Sequence, residues 1–321
     1  MRKIIAILIF ASFTSFAQEA LFNINKQNMH ILNYAYFTET QADVSIDNSF
    51  EYYDKDRKFN STKLNLNLNI IKNFNTGLEL GLDYQNGLMN ITNFDAIFGY
   101  DFHFDSLKGI FIAANFGVIS TNIEKTGTYT RYTNTNLDEA SYTLYAQRAN
   151  FGFSTVAFYK VHSIGISINH INQPDIPDDN DGFIPIKYSA YIRSSLIKEK
   201  LVAMFSYQYQ DKYLYDNLES DYYYNMLSYL GVNLEYYFLE GFNRLGQWNI
   251  GLADKILANN INIISAQVGW GNEDIYVNYS PSLMIDNNAK SSAFFNQIGV
   301  YFNISSEPVR KKYRAIGGVS F

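Results

Sequence analysis

The chain has no cysteine in 321 residues, so no disulfide braces it and no thiol does chemistry in it. It has only 5 prolines and 2 tryptophans. No Pro-, Gly- or Ser-rich linker divides it, so it reads as one domain. No run of about 18 apolar residues occurs, which excludes a membrane-spanning helix. Positive charge is also scarce, with 25 Lys and Arg against 31 Asp and Glu. That balance argues against a nucleic-acid partner, which would need a basic face. Missing too are the GxSxG and HExxH signatures and any phosphate-cradling glycine loop. The four histidines, His30, His103, His162 and His170, are scattered without metal-ligand spacing. The chain therefore reads as a non-enzyme that needs no cofactor and no metal.

What the chain has is alternation. Leu64, Leu66, Leu68 and Ile70 are separated by Asn65, Asn67 and Asn69. Leu78, Leu80, Leu82 and Tyr84 are separated by Glu79, Gly81 and Asp83. Ile164, Ile166 and Ile168 are separated by Gly165, Ser167 and Asn169. A period of two means strand, because successive side chains leave opposite faces. Acids, Asn, Ser and Gly on one face and Leu or Ile on the other, over about ten residues, is the pattern of a barrel with a polar lumen and a lipid-facing band. The 27 Tyr and 25 Phe suit aromatic girdles at the two membrane interfaces. The predicted fold is all-β: a transmembrane antiparallel β-barrel of the outer membrane, with the lipid bilayer as its surroundings.

The first residues fit that location. Arg2 and Lys3 precede an apolar stretch from Ile4 to Phe10, and Ser15-Phe16-Ala17 offers small residues before a cut ahead of Gln18. Residues 1–17 are predicted to be a signal peptide for the general secretory pathway, in a Gram-negative bacterium. Removing them takes away Arg2 and Lys3 and no acid, leaving 23 basic against 31 acidic side chains.

Fourteen strand-like stretches follow: 43–53, 63–72, 76–85, 94–104, 108–119, 147–160, 162–171, 185–195, 200–210, 222–238, 246–254, 261–270, 273–281 and 292–304. The connections alternate. Asn73 to Asn75, Asp105 to Leu107, Val161 and Gly271-Asn272 are short. The segments 120–146, 172–184, 211–221 and 282–291 are long. Short periplasmic turns and longer outside loops give outer-membrane barrels this parity. The barrel is thus placed at 43–304. Residues 18–42 alternate poorly; they either line or plug the lumen or form a periplasmic lead-in. Residues 305–321 read as a periplasmic tail. The alternative makes 313–321 a closing strand, with Tyr313, Ala315, Gly317, Val319 and Phe321 on one face.

Two acidic features have a possible ion chemistry. The loop around Asp175, Asp178, Asp179 and Asp181 offers oxygen ligands for Ca²⁺, but position one of an EF-hand would fall on Pro177, so it reads as a solvated outside loop. Glu79 and Asp83 share the lumen face of one strand and would bias an open pore toward cations, unless Lys or Arg from neighbouring strands neutralises them.

One stretch carries a family resemblance. Gly165-Ile-Ser-Ile-Asn-His-Ile-Asn-Gln-Pro174 resembles a strand of the PorP/SprF family that ends in Asn169-His170 and leads through Gln173-Pro174 into a loop. The family's next strand starts near a Pro-Lys-Tyr, here Pro185, Lys187 and Tyr188. Leu21-Phe22, Asn28, Leu32-Asn33 and Ala35-Tyr36 resemble the family's opening, with Tyr34 where Pro is usual. Tyr276 to Asp286 and Phe295 to Phe302 resemble its last strands. The resemblance implies an outer-membrane component of the type IX secretion system. It implies non-covalent attachment of a secreted adhesin through that adhesin's C-terminal domain, a link to gliding motility, and contact with a peptidoglycan-binding periplasmic lipoprotein. On that reading the outside loops would recognise the adhesin, with Tyr129, Tyr132, Tyr142, Tyr222 and Tyr223 as aromatic anchors. The competing reading is a porin or substrate channel, because about 14 strands leave room for a lumen.

Overall fold

A computed structural model describes residues 24, 29–35, 42–52, 58–71, 73–85, 89–105, 107–129, 138–175, 183–197, 200–210, 228–238, 247–257, 261–272, 275–286 and 291–304. The expected signal peptide and the 305–321 segment, with its alternative closing strand, lie outside them.

Fourteen antiparallel strands close into one barrel. They are β1 (Ala42–Tyr52), β2 (Lys58–Ile71), β3 (Phe74–Gln85), β4 (Met89–Asp105), β5 (Lys108–Tyr129), β6 (Asp138–Tyr159) and β7 (His162–Asn169). The second half holds β8 (Lys187–Leu196), β9 (Leu201–Gln210), β10 (Tyr229–Phe238), β11 (Gln247–Leu257), β12 (Ile261–Gly271), β13 (Ile275–Asp286) and β14 (Ser291–Asn303). Each strand pairs with its sequence neighbours, and β1 pairs with β14 from Asp43 opposite Asn303 to Tyr52 opposite Phe294. Closure satisfies backbone groups that hydrocarbon could not.

The alternation becomes two faces. In β10, Gly231, Asn233, Glu235 and Tyr237 are buried inside, while Leu230, Val232, Leu234 and Tyr236 are exposed outside. In β3 and β4, Glu79, Asp83, Asn93 and Asp95 are buried while Leu78, Phe94, Phe98 and Tyr100 are exposed. Polar residues inside and a continuous apolar exterior invert the arrangement of a soluble sheet. Phe98, Phe116 and Phe151 form an outward ladder across β4, β5 and β6, with ring centroids 6.3 and 5.8 Å apart. This exterior needs lipid, and the chain is an outer-membrane β-barrel.

The wall is not level. The sequence suggested a loop over 120–146, but β5 and β6 run on to Tyr129 and from Asp138 as one unbroken ladder. Polar Thr and Asn in that stretch hid its two-residue period. Likewise β13 and β14 extend into the expected 282–291 loop, leaving 287–290 between them. By contrast β7 stops at Asn169. His170 and Gln173 take left-handed conformations, φ 57° and 46°, and Pro174 has no N–H to continue a ladder.

Candidate functional site

The lumen is occupied by the chain's own N-terminal segment. Met29–Ile31 forms one 3₁₀ turn, closed by Leu32 and Asn33 amides donating to the Met29 carbonyl at 3.0 Å. Met29 and Ala35 are fully buried, and Leu32 is 1 % exposed. Ile24, Met29, Ile31, Leu32, Tyr34 and Ala35 share an apolar cluster with wall residues Ile97, Phe111, Ala113, Val156, Phe158, Tyr191 and Met204. Those wall residues lie toward the short turns, so this plug fills the half of the lumen nearer those turns.

Polar contacts fix the plug to four strands. Asn33 Nδ2 donates to the carbonyls of Thr155 (3.1 Å) and Ile166 (3.0 Å), while its Oδ1 accepts from the Ala35 amide (2.9 Å). Ser167 Oγ donates to the Leu32 carbonyl at 2.8 Å. Tyr34 donates its hydroxyl to Glu79 Oε1 at 3.2 Å, and Asn233 Nδ2 donates to the Ile24 carbonyl at 2.5 Å. The fit depends on Gly165: a Cβ there would lie 2.2 Å from the Tyr191 ring and 2.7 Å from Asn33 Nδ2. Two segments that seemed separate in the sequence, Leu32-Asn33 and Gly165 to His170, therefore meet.

Next to the plug lies a buried polar belt. Glu79, fully buried, pairs with Lys63 Nζ at 3.0 Å. Asp95, directly opposite Glu79 in register, accepts from Asn93 (3.0 Å), Asn115 (3.0 Å) and Asn150 (3.1 Å). Asn150 Oδ1 in turn meets His170 Nδ1 at 2.9 Å. Asn150 gives its N–H groups to Asp95, so its oxygen accepts and His170 carries the proton on Nδ1. Asp83 accepts from Ser61. Charge divides across the lumen. Asp43, Asp47, Glu79, Asp83, Asp95 and Asp101 are buried on β1, β3 and β4, with Lys63 among them. Lys187 and Arg193 on β8 and Lys255 on β11 are buried on the opposite wall, with one acid, Glu235 on β10, among them, since fourteen strands in sequence order set β8 across from β1 and β11 across from β4. Nearer the outside, a second inward cluster is apolar: Tyr229, Leu257, Ile261, Ile263, Met284, Ala293 and Phe295.

The residues singled out in the sequence fall in three places. Glu79 and Asp83 are lumen residues, and Glu79 is neutralised by Lys63. Asn169 and His170 are buried where β7 leaves the wall. Pro174 and Pro185 are buried at the two ends of the following connection, Lys187 is buried, and Gln173 and Tyr188 are exposed. The Pro174 carbonyl accepts from the Ile184 amide (2.8 Å), and the Pro185 carbonyl accepts from Gln210 Nε2 (3.2 Å). Tyr129 and Tyr142 sit in the β5–β6 ladder opposite Asp138 and Lys125, four rungs apart. Tyr132, Tyr222, Tyr223 and the acidic loop beyond Asp175 lie outside the described residues; Asp175 itself meets Arg148 Nε at 3.3 Å. Sequence reasoning missed Asp95 with its Asn93, Asn115 and Asn150 donors. Their signal was asparagine at inward strand positions.

No family model matches the chain, and no curated protein does. Among solved structures, a monoaromatic hydrocarbon channel, CymD, is similar at TM-score 0.55 and 12% identity, covering 88% of this chain and 94% of that one. A mutant of the TodX monoaromatic hydrocarbon channel is similar at TM-score 0.50 and 10% identity, covering 84% and 92%. A FadL homologue of Pseudomonas aeruginosa reaches 0.49 at 8% identity, covering 84% and 92%. At these identities the first two likenesses concern the fold.

Proposed function

We propose that this protein is a plugged outer-membrane barrel that docks an exported surface protein at its outer rim. The observation that carries the reading is the filled lumen: buried Met29, Leu32, Asn33 and Ala35 stand where a porin would hold water. A barrel closed by its own chain offers its rim, and β5 and β6 rise above that rim as the longest pair of the wall. The PorP/SprF resemblance supplies the kind of client: an adhesin of the type IX secretion system, held through its C-terminal domain, with a peptidoglycan-binding lipoprotein on the periplasmic side. Export through the general secretory pathway belongs to the same proposal.

The test is co-purification from detergent-solubilised outer membranes through a tag in 305–321, read by mass spectrometry. Recovery of a large surface protein together with a cell-wall-binding lipoprotein is the expected result. Recovery of the barrel alone, its integrity checked by heat-modifiable gel mobility, would overturn the reading. A second reading, a gated channel for small apolar molecules, is favoured by the inward apolar cluster near the outside and by the hydrocarbon channels that share the fold. It gains the weight the first would lose.

A further inference from the structure

Among the described residues, the upper part of strand β6 has a neighbouring strand on one side only. Strand β6 pairs with β7 only from Phe153 opposite Ile168 to Tyr159 opposite His162. Above that level, β6 has no strand beside it on the β7 side among the described residues. The bonds near the end of β7 show which peptide groups face that side. The Phe151 amide donates to Asn172 Oδ1 (3.2 Å) and its carbonyl accepts from the Ile171 amide (3.0 Å), while the Ala149 carbonyl accepts from Asn172 Nδ2 (2.7 Å). The β5–β6 register runs without a shift from Asp138 to Tyr159. Hydrogen-bonding direction alternates along an antiparallel strand. Glu139, Ser141, Thr143, Tyr145 and Gln147 therefore turn their N–H and C=O groups to the bare side as well. The Gln147 carbonyl accepts from Arg148 Nη1 at 3.0 Å, and among the described residues no other strand pairs with these groups.

Proteins blunt such edges with Lys, Pro or a bulge. Here 139–147 reads Glu-Ala-Ser-Tyr-Thr-Leu-Tyr-Ala-Gln, with none of these. Tyr and Thr favour an extended chain. Peptide groups left bare cannot stand in hydrocarbon, so the edge stands in water.

We infer that this edge takes up an extended segment of a separate surface polypeptide as an added strand, running antiparallel to β6 and filling the notch above β7. The inference rests on the docking reading and names its mode. A row of alternating peptide donors and acceptors is matched by another extended backbone, and the edge spans about 30 Å at 3.4 Å per residue. A second copy of this chain is a poor occupant. Two copies upright in one membrane present parallel β6 strands, related by an axis along the membrane normal that sets each residue opposite its own twin. In a parallel pair each bonding residue must instead sit opposite one that turns its groups away.

The test replaces Ser141 and Thr143 together by proline in the full-length tagged barrel. Both N–H groups face the bare side, so no β5–β6 bond is lost, and proline is tolerated on edges. Losing two donors should lower recovery of the surface protein about tenfold. The double variant S141A/T143A keeps the backbone donors and should recover it unchanged. Unchanged recovery with the prolines overturns strand addition while docking stands. No surface protein with the unmodified barrel overturns docking itself. Hydrogen exchange on the unmodified protein gives an independent reading should the proline variant fail to fold. Amides 139, 141, 143, 145 and 147 should exchange freely in the isolated barrel and gain protection in the complex. Protection already present in the isolated barrel would mean that the chain covers its own edge, and would overturn the inference.

Discussion

Single buried residues decide how the lumen holds together. Lys63 and Glu79 form a pair with almost no access to water. Removing one partner of such a pair leaves an uncompensated buried charge. Lys63→Met is therefore expected to destabilise the barrel by about 3 kcal/mol, read as a lower midpoint for loss of heat-modifiable mobility in urea. The double variant K63M/E79L, apolar on both sides, should recover most of that loss. Gly165 acts differently, since any side chain there meets Tyr191 and Asn33. Gly165→Val is expected to loosen the plug, giving transient current steps in a planar bilayer where the native chain is silent. The charge of Glu79 and Asp83 and their inward placement were legible from alternation alone. Their partners were not, because pairing depends on which strands lie side by side. Asp95 likewise looked like any polar residue in a strand until β5 and β6 brought Asn115 and Asn150 to it.

At the scale of elements, β2, β3 and β7 were legible because apolar and polar residues alternate cleanly in them. Legibility failed where both faces are polar. Residues 120–129 and 138–146 read as loop, yet they are strand. Once clear of lipid the outer face no longer has to be apolar, so the signal vanishes while the ladder continues. Beyond Ile123, the last β5 residue paired with β4, the two strands of this hairpin pair only with each other among the described residues. Replacing 124–143 by a short turn should therefore leave the barrel folded, with unchanged heat-modifiable mobility, and should abolish co-purification of the surface protein. The plug was only half legible. Poor alternation in 18–42 marked it as something other than wall. That it turns inward follows from Ser167 and Asn233, residues far along the chain that bond its backbone.

For the whole molecule, the outward apolar band and the closure of β14 on β1 establish an outer-membrane barrel, and the fold is shared with channels of 12% identity or less. What the barrel does depends on its interior. Six buried acids on β1, β3 and β4 face a wall where Lys187, Arg193 and Lys255 are buried along with Glu235, and the plug has its own cluster of apolar contacts in the lumen. On the docking reading proposed above, a lumen so filled passes little and the rim carries the function. Planar-bilayer conductance of the purified full-length protein, beside a variant lacking residues 29–35, tests this most directly. The full-length barrel is expected to be silent and the shortened one to conduct. A steady open pore in the full-length protein would contradict the plugged barrel and return the molecule to the channels whose fold it shares.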